Sequence, residues 1–114
     1  MSQQIHLEEG TATRMMAQAE LTTRFLKAIS HPARLVILCR LAESPANVSQ
    51  LEQFAELPQS EVSKHLARLR GDGLVRAERN GRARTYALTE PRTARVMQIL
   101  HHEFCSAEAD QPAG

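Results

Sequence analysis

The chain has 114 residues, enough for one domain with a modest core, and its 42% hydrophobic and 24% charged residues are those of an ordinary globular protein. A net charge of only +1 excludes a uniformly basic or acidic protein, no run approaches the roughly 20 apolar residues of a membrane span, and no basic segment leading into an apolar one marks a secretory signal. A cytoplasmic protein that keeps off the membrane is expected, and its two cysteines, Cys39 and Cys105, are too few for a disulfide scaffold.

Residues 1–12 are polar and unpatterned, so order is expected to begin near Thr13, in a single domain over 13–105 followed by a polar, disordered tail over 106–114. From Thr13 to Ile29, the residues Met15, Met16, Ala19, Phe25, Leu26 and Ile29 form a loose helical stripe. Pro32 suits the first turn of the next helix, Pro32 to Glu43, with Ser30 or His31 as its N-cap. That helix places Leu35, Leu38, Cys39 and Ala42 on one face, so Cys39 points inward. Ser44-Pro45-Ala46-Asn47 reads as a turn, and Ser49 to Ala55 as a short helix with Leu51 and Phe54 inward.

Leu57-Pro58 opens a further helix, in which Val62, Leu66 and Leu69 make the apolar face while Lys64, His65 and Arg68 fall on other faces. Gly71 and Gly73 end it. Strand-like alternation follows on both sides of Asn80-Gly81, a dipeptide that tolerates the positive φ of a tight hairpin turn. A last helix starts at Thr89-Glu90-Pro91 and carries Val96, Leu100 and Phe104, with Met97 beside them. So strong a stripe at the end of a small domain predicts pairing with a second copy.

Between Lys64 and Arg84, seven Lys or Arg face Asp72 and Glu78, a local charge of +5 that leaves −4 for the rest of the chain. Focused positive charge suits a phosphate backbone, although arginines also serve simply to keep an edge strand soluble. The order of parts favours the first. A short helix, a turn, a second helix with small polar residues in its first turn and then a hairpin make a winged helix-turn-helix: mainly α, about five helices and a two-stranded wing, read as a homodimer on palindromic double-stranded DNA. Gln59, Ser60, Ser63, Lys64 and His65 then lie at the exposed N-terminal end of the recognition helix, where base edges are read. Lys64 and Arg68 suit phosphates, and Arg79, Arg82 and Arg84 of the wing suit phosphate or a minor groove.

The run Leu26-Lys27-Ala28-Ile29-Ser30-His31-Pro32-Ala33-Arg34-Leu35 resembles the LKALSHPxRL signature of the ArsR-type (arsenic-repressor) family of winged-helix repressors. Ser60-Glu61-Val62-Ser63-Lys64-His65-Leu66-Ala67-Arg68-Leu69, followed by Gly73-Leu74-Val75, is similar to that family's recognition helix. The resemblance covers about Leu21 to Phe104 and implies a homodimeric repressor that leaves its operator when an inducer reaches it; its pattern points to Ser63 and His65 as base readers. The family's Cys-x-Cys metal motif has no counterpart in Val48–Gln53. Its last-helix metal site fails too, because the positions preceding His102 at the required spacing are Thr89 and Pro91. No metal or cofactor is therefore expected.

Cys39 and Cys105, 66 residues apart, resemble the dithiol branch of the family, the SqrR/BigR type with the related HlyU proteins. That resemblance implies that persulfides or polysulfides join the two thiols through sulfur and so change DNA binding. Extra sulfur atoms relax the limit of about 7 Å between Cα atoms that a direct disulfide imposes. His101 and His102 lie where they can stabilise a thiolate at Cys105, and apolar surroundings should raise the pKa of Cys39, so Cys105 is expected to react first. A general oxidant response, a metal response through Cys39, Cys105 and His102, and ligand-independent DNA binding are the alternatives. A Cys-His catalytic dyad lacks a third orienting group and an oxyanion loop, so no enzyme is expected.

Overall fold

A computed structural model of the chain describes residues 4–105, and the tail expected to be disordered, 106–114, falls outside them. The elements run α1 (Thr11–Ile29), α2 (Pro32–Glu43), α3 (Val48–Ala55), α4 (Gln59–Gly71), β1 (Val75–Asn80), β2 (Ala83–Leu88) and α5 (Pro91–Cys105). This is a winged helix-turn-helix: five helices and one antiparallel hairpin. α2 is its hub, touching α1, α3, α4, α5 and β2. Ile37 and Leu38 of α2, Leu51 of α3, Val62, Leu66 and Leu69 of α4 and Met97 of α5 are fully buried in one core.

Local chemistry sets the boundaries. His31 caps α2, its Nδ1 accepting the Ala33 N–H at 3.0 Å, with Pro32 in the first turn. A capping box opens α3: Asn47 Oδ1 accepts the Gln50 N–H and Gln50 Oε1 accepts the Asn47 N–H, both at 2.8 Å. Glu56, left-handed at φ 56°, ends α3 and turns the chain toward α4. α4 begins after Pro58 with no side-chain cap and closes in a Schellman motif. There Gly73, at φ 77°, sends its N–H to Arg70 O, and the Leu74 N–H reaches Leu69 O.

Three expectations need correction. α1 starts at Thr11, two residues early, and buries little of its stripe: Ala28 and Ile29 are buried and Phe25 partly so, but Met15, Met16 and Leu26 are exposed. The stripe of α5 divides as its excess of apolar residues implied, with Val96 and Leu100 packed on the core and Phe104 72% exposed. Phe54 is not inward, since α3 has only eight residues and turns away before anything covers it. The hairpin turn is Gly81-Arg82 rather than Asn80-Gly81, because Asn80 still pairs with Ala83 and only Gly81 takes a positive φ, 64°. In addition, Ala46, expected in a plain turn, makes an antiparallel bridge with Tyr86 through bonds of 3.0 and 2.8 Å, tying the α2–α3 connection to the wing.

Candidate nucleic-acid interface and dithiol site

Helical period divides α4 into two faces. Gln59, Ser60, Ser63, Lys64 and Arg68 share the exposed one, as expected, while Val62, Leu66 and Leu69 face the core. His65 belongs with the second group. It is 4% exposed, its ring centroid is 4.6 Å from that of His31, and its Nε2 is 3.6 Å from Glu61 Oε1. The expectation that it stands exposed for base reading is therefore corrected. The signal was present in the spacing, since a stripe at 62, 66 and 69 takes in position 65 as its i+3 member.

The cations differ in how they are held. Lys64 lies 3.4 Å from Glu61 and Arg68 3.0 Å from Asp72, so each has a carboxylate that a phosphate must displace. Arg79, Arg82 and Arg84 form no ion pair among the described residues. Arg79 and Arg84 are directly opposite in the hairpin register, a like-charge pair that repels until an anion comes between them. The Arg84 guanidinium is propped over the Tyr86 ring at 5.5 Å, which holds it on the wing's surface.

The two cysteines lie where α2 packs along α5. Cys39 is half-buried, its Sγ 3.9 Å from Met97 Sδ, and Cys105 is exposed in the last turn of α5; both are free thiols. Met97, His101 and Cys105 follow at four-residue intervals along one side of α5. Burial, and then the nearby Cys105 charge, push the Cys39 thiol above its ordinary pKa. A cavity of about 450 Å³ reaches Cys39 between Arg40, Phe54, Met97, Gln98 and His101. Sequence pattern gave no hint of it, because its walls are drawn from α2, α3 and α5 together. Among the described residues no group of three or more His, Cys, Asp or Glu is placed to hold a metal ion, and no helix is long and apolar enough to cross a membrane.

Residues 31–77 match the profile of the bacterial regulatory proteins of the arsR family. A biofilm growth-associated repressor of Xylella fastidiosa is 36% identical over 94 residues, 82% of either chain. The chain belongs to the arsR family. Another arsR-family relative, the transcriptional activator HlyU of Vibrio cholerae, is 38% identical over 82 residues, 72% of this chain and 76% of its own. The crystal structure of the repressor BigR from Xylella fastidiosa superposes with a TM-score of 0.78 at 35% identity, covering 84% of this chain and 98% of that one. Within the arsR family, this chain thus sits in the branch of BigR and HlyU and is a DNA-binding regulator rather than an enzyme. The matched span 31–77 runs from the His31 cap through α4 into β1, the helix-turn-helix itself.

Proposed function

We propose that this arsR-family regulator is a homodimeric repressor that holds a palindromic operator while Cys39 and Cys105 are thiols and releases it when reactive sulfur bridges them. The observation that carries the reading is that the two cysteines sit on the packed helices α2 and α5, near enough for a charge on Cys105 to bear on Cys39, with a cavity giving small molecules access to half-buried Cys39. α4 reads base edges through Gln59, Ser60 and Ser63, while Lys64, Arg68, Arg79, Arg82 and Arg84 hold phosphates. The exposed apolar residues of α1 and α5 form the contact between copies, and the two recognition helices then enter major grooves about 34 Å apart.

The chemistry balances with a persulfide, R–S–SH, as the oxidant. The Cys105 thiolate takes the outer sulfur and releases the thiol RSH. The Cys39 thiolate attacks the resulting Cys105 persulfide at the sulfur bonded to Cβ, closes the bridge and expels hydrosulfide; each further persulfide consumed lengthens the bridge by one sulfur. A thiol held above its ordinary pKa suits Cys39 to the second, intramolecular step, and exposure suits Cys105 to the first. Closing the bridge ties α5 to α2, the helix that also seats α3 and α4, so the spacing of the recognition helices changes.

A test follows fluorescence anisotropy on a 30-base-pair duplex selected from random sequence by the reduced protein. Polysulfide is expected to weaken wild-type binding at least about tenfold, reversibly with dithiothreitol, and to leave Cys39→Ser and Cys105→Ser bound. Unchanged wild-type affinity, or equal loss in the serine variants, contradicts the reading.

A further inference from the structure

Two histidines join the start of α2 to the recognition helix, and neither the DNA contacts nor the dithiol makes use of them. His31 caps α2, and its exposed ring lies against the buried ring of His65 at a tilt of 46°. One ring thus belongs to the corner where α1 passes into α2, and the other to the helix that offers Ser60, Ser63 and Lys64 to DNA. That corner is itself pinned. Arg34, 8% exposed, donates from Nε to Ala28 O at 2.6 Å and from Nη2 to Lys27 O at 3.4 Å, closing the carboxyl end of α1 against α2.

We propose that His65 is a positioning residue for DNA recognition: packed against His31, its ring fixes the angle of α4 against the α1–α2 corner, and protonation of His65 frees the helix and weakens specific binding in mildly acid solution.

Most of what surrounds His65 disfavours a charge there, Glu61 being the exception. The groups that bear on it are His31 and Arg34 from the corner, and Lys64 and Glu61 from α4 itself; only Glu61 is acidic, and it is shared with Lys64. Burial first, then His31, Lys64 and Arg34, hold the His65 pKa below its ordinary value, against Glu61. The unfolded chain therefore takes up this proton before the folded one does. Stability is full above the ordinary histidine value of about 6.5 and is lost as pH falls from there toward the lower folded value. Added positive charge alone strengthens non-specific binding to DNA, so a fall in specific affinity has the opposite sign to a plain charge effect.

The experiment measures affinity for the selected 30-base-pair duplex and for poly(dA-dT) between pH 7.5 and 5.5, with circular dichroism confirming that the protein stays folded. For the wild type the ratio of specific to non-specific affinity is expected to fall by about tenfold or more across this range. His31→Asn keeps a good N-cap but removes the ring, and His65→Gln removes the titrating group. Both should lose several-fold in specific affinity at pH 7.5 and show a flattened pH profile. A flat wild-type ratio in folded protein overturns the proposal, as does a His31→Asn profile identical to wild type. If His65→Gln relaxes preference at one base pair while His31→Asn changes nothing, His65 reads a base and the positioning role is wrong.

Discussion

Around α4, Val62, Leu66 and Leu69 are buried and the exposed positions are polar or basic, whereas α1 and α5 leave Met15, Met16, Leu26, Ile99 and Phe104 in solvent. The first region is a finished monomer surface awaiting an anion. The second exposes large apolar side chains from two helices, the kind of surface that marks an interface. The helix-turn-helix and wing are thus complete within one chain, while the helix that ends in Cys105 leaves Ile99 and Phe104 uncovered. In the proposed dimer, a thiol on that helix couples its chemistry to the geometry between copies, which is what a palindromic operator measures.

Substitutions in each region should behave accordingly. Leu66→Ala, in the finished half, removes a fully buried side chain and should cost about 3 kcal/mol in urea unfolding. A cost near zero would mean that α4 is not held by this core. Phe104→Glu, in the half left open, should weaken self-association by roughly 100-fold in sedimentation equilibrium, with the far-ultraviolet dichroism of the fold retained. An unaltered dimer would remove α5 from the interface. Thr93→Val sharpens the comparison from inside α5: Thr93 Oγ1 is buried with no hydrogen-bond partner among the described residues, so the isosteric change should add about 1 kcal/mol to stability. The smallest effects belong to the wing. Arg79→Ala and Arg84→Ala should each lower the slope of log affinity against log salt by about one, with little change in sequence preference.

The same division separates what the sequence disclosed from what it withheld. α2 was legible to the residue because Pro32 and the His31 side chain mark its start chemically. The exposed set on α4 followed from period alone. Periodicity says that a helix is amphipathic and not which partner covers it, so the exposure of the α1 stripe was not readable, whereas the apolar surplus of α5 was. His65 was misplaced because polarity was weighed over position, although its spacing from Val62 and Leu69 is that of the core face. The Ala46–Tyr86 bridge is one residue long on one side and leaves no alternation to read. Of the dithiol, the two cysteines were visible in the sequence, but the cavity beside Cys39 is walled by residues of α2, α3 and α5 that only the fold brings together.

The central claim is that sulfur bridging of Cys39 and Cys105 governs operator release. Its most direct test is the intact mass of the reduced protein after excess polysulfide, with DNA binding followed on the same sample. The predicted result is a gain of one or more whole sulfur atoms less two hydrogens, mapped by peptide analysis to a Cys39–Cys105 link, together with lost binding. Full DNA binding by the bridged protein would contradict it, as would lost binding with both thiols unmodified.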